Sequence, residues 1–267
     1  VTAVLPDIAV APRSTPVLSV ERLSFAYPDG RFALRDVSFS VSPRERVGLV
    51  GPNGAGKTTL LLHLNGLLPG DRNRQSKGRR ADEPSAPVEV LGMPVAPPHL
   101  IEIRRLVGLV FQHPDDQLFC ATVEEDVGYG PRQLGFDRDE IARRVAAALE
   151  AVGLPDIGPR GPFDLSLGER RRVCLAGVLA CDPAVMVLDE PSSNLDPRAR
   201  RQLVRALRPC DAALIIASHD LELVLELCDR TILLDGGRVI ADAPTHVLLA
   251  DERLMDAHGL EVPYSLR

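Results

Sequence analysis

The spacing of apolar and polar positions changes several times along the chain, and each change marks an element. From Val17 the two alternate in "VLSVERLSFAY" and "ALRDVSFSVSPRERVGLVG", which predicts strands, with a tight turn at "PDG", Pro28 to Gly30. "LVGLVFQ", Leu106 to Gln112, predicts a buried strand ending on a polar residue. "VMVLDEP" and "ALIIAS" are almost wholly apolar, as central strands of a parallel sheet covered on both faces should be. "DRDEIARRVAAALEAVGL" switches to the helical period, placing Ile141, Val145, Leu149 and Val152 on one face. Asp137 is its expected N-cap, Glu140 the residue completing a capping box, and Gly153 its stop. "TILLDGGRVIA" reads as a hairpin turning at Asp235-Gly236-Gly237.

Two stretches carry no period. Val1 to Pro16 reads as a loose leader, and Pro69 to Pro87, polar and basic in its first half, as a mobile surface loop.

The densest chemical signal is "VGLVGPNGAGKTTLLLHLNGL", Val47 to Leu67: a buried strand, a glycine-rich loop and a helix start. Gly51, Gly56, Lys57 and Thr58 keep the spacing G-x-x-x-x-G-K-[ST] of a phosphate loop. Backbone N–H groups of Gly54 to Thr58 and the helix dipole are expected to converge on phosphate, with Lys57 bridging the outer phosphates. The Thr58 hydroxyl is then left for Mg²⁺, and Asn53, Ala55 and Thr59 complete the expected nucleotide site. Such a loop alone fits kinases, GTPases, recombinases and transport ATPases. Asp189 and Glu190, adjacent acids ending a buried strand, narrow the choice. Asp189 can hold Mg²⁺ through water opposite Thr58, and Glu190 can polarise the water that attacks the γ-phosphate.

Charge and composition argue against other classes. Lys+Arg 31 against Asp+Glu 37 leaves a net charge of -6, and with 4% aromatic residues and no Trp there is no basic, stacking surface for nucleic acid. The five cysteines form no C-x-x-C pair and are expected to be buried free thiols, as a reducing cytoplasm allows. The most apolar segment, "TTLLLHLNGLL", is too short to span a bilayer and is interrupted by His63 and Asn65, and no signal peptide is expected.

Taken in order, these segments resemble the ATP-binding subunit of ATP-binding-cassette (ABC) transporters from Val17 to Ala241. "LSLGE", Leu165 to Glu169, resembles the family's signature loop, "SNLD", Ser193 to Asp196, the loop joining two sites, and "SHD" places His219 where the switch histidine sits. The resemblance implies that Tyr27 stacks on adenine and that Gln112 reaches Mg²⁺ and the attacking water. It also implies that Ser166 and Gly168 cover the γ-phosphate of a partner subunit and that His219 holds it. The signature departs from L-S-G-G-Q at Leu167 and Glu169, and Arg44 stands where the family usually has glycine.

The fold implied is α/β: a RecA-like phosphate-loop NTPase core with an antiparallel strand layer and an inserted helical subdomain. The expected division is a core of residues 17–113 and 166–241, helices at about 114–165, and a C-terminal tail at 242–267. ATP and Mg²⁺ are the implied cofactors. The implied partners are a second ATPase subunit, with a homodimer expected, and membrane scaffold and substrate-binding subunits at the cytoplasmic face of the cell membrane.

"FQHPDDQLFCATVEEDVGYGPRQLG", Phe111 to Gly135, and "LSLGERRRVCLAGVLA" are similar to energy-coupling-factor ATPases, within them the cobalt and nickel branch. Import of cobalt is the implied work, with nickel or a vitamin such as biotin as alternatives. A soluble ABC ATPase acting on DNA or ribosomes is the reading from another class; the chain shows neither the long coiled coil nor the second cassette of those relatives. His113, Asp115 and Asp116 are not read as a metal site; Asp115 and Asp116 are read as helix-capping and docking residues. Leu118 and Phe119 are expected to line a groove for the scaffold's coupling helices.

Overall fold

The computed structural model describes residues 15–68 and 86–267; all but the last two residues of the expected leader and of the expected basic loop lie outside them. The chain runs β1 (Leu18–Ala26), β2 (Phe32–Val41), β3 (Arg46–Val50), α1 (Lys57–Leu64), β4 (Val88–Val90), β5 (Met93–Pro94), α2 (Leu100–Leu106) and β6 (Val107–Val110). It continues through α3 (Val123–Gln133), α4 (Arg138–Ala151), α5 (Leu167–Leu179), β7 (Val185–Asp189), α6 (Pro197–Leu207), β8 (Ala213–Ala217) and α7 (Leu221–Leu227). The last elements are β9 (Arg230–Asp235), β10 (Arg238–Pro244), α8 (Thr245–Leu249) and α9 (Glu252–Ala257).

Ten strands form two sheets among the described residues, one ordered β2-β1-β4-β5 and one ordered β10-β9-β3-β8-β7-β6. The first is antiparallel throughout. In the second, β9, β3, β8, β7 and β6 run parallel and β10 closes the edge antiparallel. This is the expected α/β arrangement: a parallel phosphate-loop sheet with an antiparallel layer beside it.

The uniform apolarity of the central strands has a direct cause. Val185 and Val187 of β7 and Ile215 of β8 point into a core shared with the antiparallel sheet and α1. Met186, Leu188, Leu214 and Ile216, one residue out of phase, point into a second core under the helices. A strand buried on both faces has no polar half.

Between β6 and α5 the only elements are helices. Asp137 caps α4, its carboxylate accepting from the Glu140 N–H at 2.9 Å, and Gly153 follows at φ +70°. The expected capping box does not close, because the Glu140 carboxylate turns along the helix to Arg143 and Arg144 and takes the stronger charged partners. Complete boxes form at Thr122–Glu125 of α3 and Ser166–Glu169 of α5. The hairpin turn is as expected, with Gly236 at φ +52° and Gly237 at +75° between β9 and β10. Arg44 sits at φ +63° in the turn before β3, which is why glycine suits that position.

Residues 245–257 form α8 and α9, whose Leu248, Leu249 and Met255 are buried in the helical core. The five cysteines are free, and burial pushes the Cys174 and Cys228 thiols up to about 12, which keeps them protonated and inert. No helix among the described residues is long and apolar enough to cross a membrane.

Candidate functional site

Sheet order decides where the chemistry gathers. Because β3, β8, β7 and β6 are parallel neighbours, the loops leaving their C-terminal ends open on one edge of the sheet. Those loops carry Lys57 and Thr58 after β3, His219 after β8, Asp189 and Glu190 at the end of β7, and Gln112 after β6.

The phosphate loop takes its shape from glycine at two points. Gly51 sits at φ +151°, and a Cβ there would lie 1.9 Å from the Leu234 carbonyl oxygen of β9. Gly56, at φ +106°, faces the Ala33 carbonyl oxygen of β2, which a Cβ would approach to 2.5 Å. Any larger residue would push the loop off both strands. The turn of the β9–β10 hairpin braces it further, the Gly237 N–H donating to the Ala55 carbonyl at 3.1 Å.

Lys57 is buried and folds back over the loop, its Nζ donating to the carbonyls of Gly51 at 2.7 Å and Pro52 at 3.1 Å. Burial holds its ammonium below the usual lysine value, against the attraction of Glu190 and Asp189. The Asp189 carboxyl is raised above its usual value by burial first, and the Thr58 hydroxyl bond and the Lys57 charge oppose that rise. The Thr58 hydroxyl and the Asp189 carboxylate are thus side by side at the mouth of the loop.

Glu190 has its backbone in the left-handed region at φ +48°. This turns its carboxylate toward the end of β8, where one oxygen accepts from the His219 N–H at 3.2 Å, His219 Nδ1 at 2.6 Å and the Ser218 hydroxyl at 3.3 Å. The His219 side chain is 64% exposed, so with Nδ1 committed to Glu190 its Nε2 is the ring nitrogen available to a ligand. Gln112 is half-buried two residues beyond β6 and makes no side-chain hydrogen bond among the described residues.

Tyr27 reaches the same region from β1, its hydroxyl 2.9 Å from Thr59 Oγ1 on α1 and its ring edge-on to Phe25. That bond modifies what the stacking role implies. A base–aromatic stack is worth about 1–3 kcal/mol, whereas a part-buried neutral hydrogen bond contributes about 0.5–1.5 kcal/mol. Tyr27→Ala should therefore raise the KM for ATP about fivefold or more, and Tyr27→Phe by less, because the ring is kept and the bond to Thr59 only steadies it. Initial rates across an ATP series measure both, and equal effects would assign the contribution to the hydroxyl.

Ser166 and Gly168 open α5 and make no hydrogen bond to the cluster at the strand ends. The Ser166 hydroxyl donates to Glu169 Oε2 at 2.7 Å, and the Ser166 N–H donates to the same oxygen at 2.9 Å. These bonds hold the Glu169 carboxyl below its usual value. The departure from the family's signature at Glu169 therefore closes a capping box around the serine expected to meet phosphate.

Leu118 corrects an expectation. It is 4% exposed and packs into the core under the helices, because the one-turn 3-10 helix Pro114–Asp116 directs it inward, while Phe119 points out at 63%. Phe119 is the exposed residue of the two, and its ring meets that of Tyr129 edge-on at 4.9 Å. Asp115 pairs with Arg170 rather than capping a long helix.

The sequence reading passed over Ser218, although it lies inside "SHD", and gave no partner to the arginine run Arg170 to Arg172. Arg171 Nη1 donates to the carbonyl of Glu190 at 2.6 Å.

A glycine-shaped loop between strand and helix, with paired carboxylates at a neighbouring strand end, defines a phosphate-loop ATPase. Residues 34–193 match the ABC transporter family, and the chain belongs to it. A protein of Streptomyces avermitilis, provisionally named an ABC transporter ATP-binding protein, is 51% identical over 94% of this chain and 91% of its own length. The energy-coupling factor transporter ATP-binding protein EcfA of Carboxydothermus hydrogenoformans is 42% identical over 92% of this chain and 87% of its own. Among solved structures, cbiO1 of Clostridium perfringens, part of the ABC transporter complex cbiONQ, superposes with a TM-score of 0.75 at 32% identity, covering 91% of this chain and 94% of that one.

Proposed function

We propose that this chain is the ATP-hydrolysing subunit of an energy-coupling-factor importer whose cargo is cobalt ions. The observation that carries the hydrolytic part is the convergence of Lys57, the Thr58–Asp189 pair and the Glu190–His219 pair on one sheet edge. In this reading Lys57 and the loop amides of Gly54, Ala55, Gly56 and Thr58 hold the phosphates, with Gly51, Asn53 and Thr59 shaping the loop. Tyr27 stacks on the base. Glu190 orients the attacking water and accepts its proton, His219 holds the γ-phosphate, and Gln112 reaches the water from β6. The donors fit Mg²⁺: a hydroxyl and a carboxylate in contact, both hard oxygens. Bound by Thr58 and Asp189, the ion would offset charge on the outer phosphates.

Ser166 and Gly168 make no hydrogen bond to this cluster among the described residues, which suits a head-to-tail pair of copies in which each covers the other's nucleotide. The importer type is supported by the EcfA and cbiO1 likenesses. Cobalt is supported by the resemblance carried by Phe111 to Gly135. The subunit would sit at the cytoplasmic face of the membrane, on its scaffold.

Phe119 and Tyr129, exposed and paired at the end of the segment that Gln112 begins, offer the scaffold an apolar footing. Phe119→Asp should leave the purified subunit folded and hydrolysing ATP within about twofold of wild type, yet abolish co-purification with the membrane subunits and ATP-dependent uptake of radioactive cobalt. A variant that still assembles and transports removes Phe119 from the interface. Wild-type complexes that accumulate nickel or a vitamin but not cobalt would correct the cargo and leave the ATPase assignment intact.

A further inference from the structure

Three consecutive arginines begin α5, and each leaves the helix toward a different part of the molecule. Arg170 pairs with Asp115 in the segment after Gln112, and Arg172 donates to the Val152 carbonyl at the end of α4. Arg171, between them, is 8% exposed and donates to the backbone carbonyl of Glu190 at 2.6 Å. Its Nε is buried and bonded to no described group, beside a cavity of about 10 Å³, the room of one water. Among the described residues it forms no salt bridge with a carboxylate. Burial holds its guanidinium below the usual arginine value, against the attraction of Glu190. A buried cation satisfied by one carbonyl is costly to the fold, which directs attention to what that carbonyl does.

The carbonyl belongs to a residue whose backbone is left-handed at φ +48°, a conformation that a glutamate keeps only when its surroundings impose it. Three bonds impose it here. The Glu190 N–H donates to the Ala217 carbonyl at 2.8 Å, and the Glu190 carbonyl accepts from the Ser193 N–H at 3.2 Å and from Arg171. The Ala217 bond anchors the residue to β8 and the Ser193 bond lies within its own turn; the charged bond comes from α5. Charge-assisted hydrogen bonds are about twice as strong as neutral ones. With the N–H held on Ala217, rotation about the Glu190 N–Cα bond turns the carbonyl and the side chain together, so a shift of the gripped carbonyl swings the carboxylate relative to Ser218 and His219.

We infer that Arg171 is a positioning residue for hydrolysis: by gripping the Glu190 carbonyl it makes the aim of the Glu190 carboxylate depend on the placement of α5. The inference rests on the reading that Glu190 carries the hydrolytic step. Since Arg170 and Arg172 fasten the same helix to the Gln112 segment and to α4, a shift of either reaches Glu190 through Arg171.

The test compares steady-state ATP hydrolysis by the full-length purified chain in MgATP for Arg171→Met, Arg171→Lys, Glu190→Gln and Arg144→Met, with thermal midpoints for each. Arg144 is the control, a part-buried arginine that donates to the Ala180 carbonyl at the far end of α5 and touches nothing in the site. Arg171→Met should lose about tenfold or more in kcat with KM for ATP within about twofold of wild type. Arg171→Lys, which keeps a cation but not the guanidinium reach, should fall between. Arg144→Met should lower the thermal midpoint and leave kcat within about twofold. Wild-type kcat in Arg171→Met, or equal losses in Arg171→Met and Arg144→Met, overturns the inference. Should Arg171→Met not fold, Arg171→Lys decides: a kcat reduced about threefold or more at unchanged KM supports the role, and wild-type kcat refutes it. Turnover retained in Glu190→Gln removes the reading beneath it and the inference together, whereas loss in Glu190→Gln with none in either Arg171 variant removes the inference alone.

Discussion

Glu190→Gln is expected to lower ATP hydrolysis by about 10²-fold or more, the usual contribution of a positioned general base, while ATP binding survives and ATP-bound pairs of subunits accumulate. The substitution keeps the size of the side chain and one oxygen. That oxygen can still accept from the His219 N–H, His219 Nδ1 and Ser218 hydroxyl, which all converge on a single carboxylate oxygen. What disappears is the charge and the second carboxylate oxygen, which takes no part in these three bonds. Binding should change little, because the loop amides and Lys57 are untouched. Stalled hydrolysis leaves ATP between the copies, so size-exclusion chromatography in MgATP should show a dimer peak larger than wild type. A mutant that hydrolyses within about threefold of wild type would assign the base elsewhere, and one that stays monomeric would count against the head-to-tail pairing.

How far these features could be read from the sequence depends on whether the cause was local. The phosphate loop was legible because its conformation is enforced residue by residue, Gly51 by the Leu234 carbonyl and Gly56 by the Ala33 carbonyl. The central strands were legible because burial on two faces leaves no polar position in "VMVLD" or "ALIIA". Asp137 was legible as a cap, but the destination of Glu140 was not, since Arg143 and Arg144 compete for it in space. Leu118 and Phe119 are adjacent and similarly apolar, and only the turn at Pro114–Asp116 decides which of them enters the core. Arg171 was the least legible of all. Its partner is a backbone carbonyl 19 residues away on another element, and a carbonyl leaves no mark in the side-chain pattern.

Lys57→Ala should abolish measurable hydrolysis and weaken ATP binding by about tenfold or more, about 1.4 kcal/mol, while the chain still folds. Lys57 is the side-chain cation that the loop carries at its mouth, and removing one charged donor aimed at developing transition-state charge typically costs about 10²–10³ in rate. The fold should tolerate the change because two effects oppose each other. Two bonds from Nζ to the carbonyls of Gly51 and Pro52 are lost, at about 0.5–1.5 kcal/mol each. The same substitution removes an ammonium that burial already disfavours, since its pKa is depressed despite Glu190 and Asp189. A net change near 1 kcal/mol moves the thermal midpoint of a chain this size by about 2–4 °C, readable by circular dichroism beside the activity assay. Lys57→Arg should fail almost as completely. A planar guanidinium cannot occupy the place between the Gly51 and Pro52 carbonyls from which a compact ammonium swings to phosphate. Near wild-type turnover in purified Lys57→Ala would show that the loop's amides alone hold the outer phosphates, and the role assigned to Lys57 would be withdrawn.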